Sequence, residues 1–267
     1  MNVNRQSDPR RLYDGTYYSR QAGGSDLSAA VIAPLVCDIV KPRSIADVGC
    51  GTGTWAARFA QLGVTDVLGV DGPHVDQHLL RIPSRQFLTS DLCQPLRVQR
   101  TFDLALCLEV AEHLPPERAG GLIADLTALA PAILFSAAIP GQSGTGHINE
   151  QWPEYWEMLF DTHNYVVLDC LRGRIWADER VEPWYRQNLL LYVRRDHRER
   201  LGALDCSRPL AVVHPKTLEG RVPPDARMLV RAAAAAVLQS LQRKLAKTLG
   251  GPKKKTGSRA EQGCAGI

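Results

Sequence analysis

Four side chains in this 267-residue chain have types and spacing suited to chemistry: Glu109, Glu112 and His113 in one E-x-x-E-H run, and His147 thirty-odd residues later. His147 follows Gly144 and Gly146 in a glycine-rich loop, and imidazole titrates near neutral pH, so it is the leading candidate for a general base. Glu112 and His113 are the next candidates. Together the four offer hard oxygen and imidazole donors of the kind that suit Mg²⁺, Mn²⁺ or a similar ion. Such an ion would polarise and acidify a hydroxyl bound to it.

These groups need a scaffold, and its centre is the stretch from Ser44 to Trp55. Ile45 to Val48 is a short apolar run that predicts a buried strand. Gly49, Gly51 and Gly53 follow on alternate positions, and a helical pattern begins near Thr54. Strand, glycine turn and helix make a nucleotide-binding corner, where glycine permits the tight turn and close ligand approach. The pattern is D-x-G-x-G-x-G, and no Lys-Ser/Thr pair follows, which excludes a P-loop. A second apolar run, Val67 to Val70, ends in Asp71-Gly72. A carboxylate at that point can accept from both hydroxyls of a ribose.

With Asp47 ahead of the glycines, the corner closely resembles motif I of class I S-adenosylmethionine (SAM)-dependent methyltransferases. Ser90-Asp91-Leu92 after a third strand and Phe102 to Cys107 running into Leu108-Glu109 resemble the later motifs of that family, in order. The resemblance covers roughly residues 40–195. It implies SAM as cofactor, held by Asp47, Gly49, Cys50, Gly51, Gly53, Asp71, Gly72, Asp91, Leu92, Leu108 and Glu109. Asp91 would reach the adenine amino group and Leu92 would pack on the ring. The E-x-x-E-H…H set is also similar to the metal site of small-RNA 2′-O-methyltransferases, which implies Glu109, Glu112, His113 and His147 as ligands. Metal-free members of the family carry E-x-x-E-H too, with the first glutamate near the cofactor.

The implied fold is α/β: a doubly wound, seven-stranded, mostly parallel sheet with an antiparallel last strand. Further strands are expected at 86–89, 102–107, 132–135, 165–171 and 189–193. Asp26 is a candidate N-cap for a helix from Leu27 to Val40, stopped by Lys41-Pro42. Residues 1–40 then form an arm and helix, with Tyr13, Tyr17 and Tyr18 suited to a lid. Residues 41–196 form the SAM-binding domain. Residues 197–249 form an extension ending in an amphipathic helix, with Val230, Val237, Leu238, Leu241 and Leu245 on one stripe. Residues 250–267 read as a disordered basic tail.

Composition narrows the partners. A net charge of only +4, partly in Lys253 to Lys255, argues against nucleic acid. No run is expected to span a membrane, and the polar first 20 residues do not form a secretory signal. The seven cysteines are scattered with no C-x-x-C pair, which fits reduced thiols in a cytoplasmic protein. The leading expectation is O-methylation of a small molecule or sugar hydroxyl, with Trp152, Trp156, Trp176 and Trp184 as candidate walls. A metal-dependent RNA 2′-O-methyltransferase and a non-catalytic SAM-binding module stay open, as does a homodimer.

Overall fold

The computed structural model describes residues 15–202 and 210–218. Seven strands form one sheet in the order β3-β2-β1-β4-β5-β7-β6. They are β1 (Ser44–Val48), β2 (Asp66–Asp71), β3 (Phe87–Thr89), β4 (Leu104–Leu108), β5 (Ala132–Ser136), β6 (Tyr165–Leu168) and β7 (Leu190–Arg194). β1 to β5 pair in parallel, and β7 runs antiparallel to both β5 and β6. That is the sheet expected from sequence, including the inverted last strand.

The central strands are apolar on both faces because both faces are covered. Leu104, Leu106 and Leu108 of β4 point into one core, and Ala105 and Cys107 into the other. The first core is closed by α1 (Gly15–Val40) and α2 (Thr54–Gln61), and by Ile175 of α5 (Arg172–Ile175) and Tyr185 of α6 (Pro183–Asn188). The second is closed by α3 (Ala119–Leu129) and α4 (Pro153–Asp161). Phe160 of α4 stacks on Tyr192 of β7 at 3.9 Å, so truncating either ring would cost about 3–5 kcal/mol. Two short helices follow, α7 (Arg195–Arg198) and α8 (Pro215–Leu218).

From β1 the chain moves outward to β2 and β3, then returns to lay β4 on the other side of β1. The two βα connections therefore diverge at the carboxyl ends of β1 and β4. Ligands of doubly wound sheets bind in the crevice such a divergence opens.

Some expectations differ from the structure. The first helix runs from Gly15, so Asp26 lies inside it and is no N-cap. Its carboxylate instead accepts from Arg58 at 3.1 Å and Arg81 at 3.2 Å. That helix also contains a stretch, Gly23–Val40, with mean hydropathy 1.5, long and apolar enough to cross a membrane, contrary to expectation. Ala29, Ile32, Ala33 and Val36 of it are fully buried in the domain core. β6 stops at Leu168, because Asp169 turns inward to form a buried ion pair with Arg172 at 2.8 Å. Trp156 of α4 is buried in the core, whereas Trp152 is 41% exposed. Cys37, Cys50, Cys93 and Cys107 are free thiols. Tyr13, the amphipathic helix and the basic tail lie outside the described residues, as do the side chains of Tyr17 and Tyr18.

Candidate active site

The glycine corner is built by backbone geometry. Gly49, Gly51 and Gly53 have φ of 79°, 54° and 79°, in the left-handed region that glycine alone enters freely. A Cβ on Gly49 would meet the Val110 side chain at 2.3 Å, so the close approach of β1 and the segment after β4 also requires glycine. Gly53 caps α2 and lies outside the cavity wall.

Around this corner the carboxyl ends of the strands enclose a cavity of about 650 Å³, within the roughly 300–1,000 Å³ of small-molecule sites. Asp47, Gly49, Cys50, Gly51, Asp71, Gly72, Asp91, Leu92, Leu108 and Glu109 all line it. Asp71 at the end of β2 accepts the Gly51 and Gly72 N–H groups, each at 2.6 Å, with His74 Nε2 at 3.4 Å. These bonds use one lone pair of each oxygen and aim the carboxylate, leaving further acceptor capacity. Burial raises the pKa of Asp71, and the two N–H groups lower it in part. Asp47 is buried with one bond, from Ala56 N–H at 3.2 Å, and burial pushes its pKa to about 7. Asp91 is exposed and accepts from Cys93 N–H at 2.9 Å, while Leu92 is buried. Burial pushes the Cys50 thiol well up, which keeps it neutral.

The far end of the same cavity carries Glu109, Glu112, His113 and His147. Glu109 follows β4 with φ 54°, a strained conformation for a residue with a side chain. That turn aims its carboxylate at two amides: Gln142 Nε2 and Asn188 Nδ2, each at 3.2 Å. Gln142 Oε1 in turn accepts from Asn188 at 2.9 Å and Gln187 at 3.0 Å. Glu112 is completely buried, and neither carboxylate oxygen makes a well-formed hydrogen bond. Burial and the neighbouring charge of Glu109 push it well above the carboxylate range. Burial also raises Glu109, against its amide bonds. His113 is driven down to about 4 by burial and by His147, whose ring it meets edge-on at 4.9 Å.

The loop after β5 brings His147 here. Ile148 and Asn149 N–H both bond the Glu112 carbonyl, at 2.8 and 3.0 Å. His147 Nδ1 lies 2.8 Å from Glu150 Oε1. Donor atoms of Glu112, His113 and His147 lie within 4.8 Å of one another, close enough to share a cation. Glu109 is not among them; its oxygens accept from Gln142 and Asn188. The four-ligand set expected from sequence is thus reduced to three.

Of the tryptophans expected as walls, only Trp184 lines the cavity, beside Tyr185 and Trp55. Trp55 Nε1 donates to the Tyr185 hydroxyl at 3.4 Å. Sequence missed Gln142, Glu150, Tyr185 and Asn188. Neutral amides carry no motif, and the one signal for Glu150 was an acid three residues after His147.

Comparison with known proteins places this architecture. A family model described as a methyltransferase domain matches residues 25–168, more than half of the chain. The magnesium-protoporphyrin O-methyltransferase of a Synechocystis strain is 29% identical over 124 residues, which cover 43% of this chain. The match spans about half, 53%, of that relative's length. The crystal structure of magnesium protoporphyrin IX methyltransferase from Synechocystis, with bound SAM, superposes at TM-score 0.50 and 19% identity, over 72% of this chain and all of that one. The amino pentose methyltransferase CalS10 of Micromonospora echinaspora, also with bound SAM, superposes at 0.50 and 16%, over 73% and 100%. These two likenesses concern the fold. The chain belongs to the methyltransferase-domain family, whose class I members are SAM-dependent enzymes.

Proposed function

We propose that this chain methylates an oxygen of a small molecule or sugar hydroxyl, with SAM in the glycine corner and His147 as base. The observation that carries the reading is that the glycine corner and His147 line one cavity. The wall suits a cationic cofactor: it holds Asp47, Asp71, Asp91 and Glu109, and no Lys or Arg among the described lining residues. Asp71 would accept from the ribose hydroxyls, Asp91 and Leu92 would take the adenine, and Gly49 to Gly51 would admit the amino-acid part. SAM, when bound, supplies a methyl group on a sulfonium, so transfer leaves S-adenosylhomocysteine and one proton. His147 would take that proton from the acceptor hydroxyl at Nε2. The cavity would align the acceptor, a contribution of roughly 7–11 kcal/mol in favourable cases.

The test is transfer from methyl-labelled SAM to fractionated extract metabolites. His147→Ala should lower the rate about 10²-fold or more while SAM affinity by titration calorimetry holds. Undiminished transfer by that variant would remove His147 from the chemistry. A second reading adds a divalent cation, and the clustering of Glu112, His113 and His147 favours it. Two imidazoles and one carboxylate suit Mn²⁺ or a similar transition ion better than Mg²⁺. Full activity in chelator-treated buffer would sink that version.

A further inference from the structure

We propose that Glu150 is a positioning residue that fixes the tautomer of His147 and so determines which imidazole nitrogen carries the lone pair. The proposal rests on the reading of His147 as the working imidazole. Glu150 Oε1 lies 2.8 Å from His147 Nδ1, and the two side chains are only 19% and 12% exposed. An ionised carboxylate can only accept, so Nδ1 must carry the proton and Nε2 the lone pair.

The carboxylate is itself held. Its other oxygen, Oε2, accepts from Gly141 N–H at 2.8 Å, and Gly141 sits in a turn closed by Gln142 N–H on the Ile139 carbonyl at 2.9 Å. On either side of Glu150, Asn149 N–H bonds the Glu112 carbonyl and Gln151 N–H bonds that of Ala138, at 3.0 and 3.2 Å. Glu150 therefore has little freedom to follow a rotating ring.

The ring is wedged as well. It meets His113 edge-on on one side. At its Nε2 edge, a Cβ at Gly144 would come within 2.2 Å of the ring, so that edge is seated against a bare glycine. Gly144 and His147 both line the cavity, whereas Glu150 is not among its lining residues. The carboxylate thus holds the Nδ1 edge of the ring, and the lone pair is left on the Nε2 edge beside Gly144. The consequence holds whether Nε2 takes a proton or binds a cation.

A simple loop staple would use the same two side chains, and Glu150→Gln separates the roles. Glutamine keeps the length and a hydrogen bond, but it can present its NH₂ to Nδ1 and so transfer the imidazole proton to Nε2. The probe is the imidazole itself: ¹⁵N-histidine spectra of the full chain, with the His147 signal assigned by its loss in His147→Gln. In the unmodified chain the Nδ1–H tautomer should dominate. In Glu150→Gln the Nε2–H form should become a major species, with SAM affinity within about twofold and transfer slowed about tenfold or more. A dominant Nε2–H form in the unmodified chain, or an unchanged tautomer in Glu150→Gln, would overturn the proposal. A tautomer switch without slower transfer would leave Glu150 its positioning role and count against His147 as base.

Discussion

Replacing Asp47 with asparagine should make the fold more stable and cofactor binding weaker. Asp47 is 2% exposed, and its one described bond comes from Ala56 N–H at 3.2 Å. Burial first, and the negative charge of Asp71 after it, raise its pKa from 3.8 to about 7. The folded chain thus holds this proton more tightly than the unfolded chain does. Below about pH 4 both states carry it and there is no penalty. Between pH 4 and 7 the unfolded chain releases it first, so stability falls as pH rises, and above pH 7 the loss is constant. At about 1.36 kcal/mol per pH unit, the plateau is about 4 kcal/mol. Asparagine can still accept from Ala56 N–H, and its own N–H would face Asp71. Urea denaturation should therefore show a gain of about 2–4 kcal/mol at pH 8 that disappears at pH 4. Calorimetry should show weaker SAM binding at pH 8, since the cofactor's positive charges lose a buried counter-charge. A gain that is the same at both pH values, or a loss at pH 8, would refute the account.

Two other perturbations test the surroundings. Gly49→Ala puts a Cβ at φ 79° and 2.3 Å from Val110, so it should cost about 2–5 kcal/mol by denaturant titration; Val110→Ala in the same chain should recover the steric part only. His113 works opposite to Asp47: its pKa falls from 6.5 to about 4, so the unfolded chain takes up the proton first and stability is lost as pH drops from 6.5 to 4. His113→Gln should remove about 3 kcal/mol of that acid sensitivity, read as a smaller difference between denaturation at pH 4 and pH 7.5.

What sequence shows of this domain follows from what each feature depends on. The glycine corner depends on backbone conformation, and residue types encode that locally. The strands buried on both faces show as apolar runs for the same reason. The start of α1 was hidden because residues 15–26 are polar and contain Gly15, Gly23 and Gly24, which reads as an arm. The amide partner of Glu109 was hidden because Asn188 lies 79 residues away in sequence. Asp26 looked like a cap because its partners, Arg58 and Arg81, come from beyond the next strand.

Burial then sorts four residues that sequence left equivalent. Glu112 is completely buried beside Glu109, and both effects favour its protonated form, so it does not accept a proton near neutrality. Each Glu109 oxygen already accepts an amide N–H, and each such bond to a charged acceptor is worth about 1.5–3 kcal/mol. Protonating Glu109 would weaken those bonds. His113 keeps its lone pair, but a conjugate acid with a pKa of about 4 holds a proton poorly during catalysis at neutral pH. His147 has a carboxylate, Glu150, on its Nδ1. A carboxylate there stabilises the imidazolium that proton uptake creates. The same burial that disqualifies the other three as bases keeps them neutral or fully bonded, so they shape the acceptor end without competing for its proton.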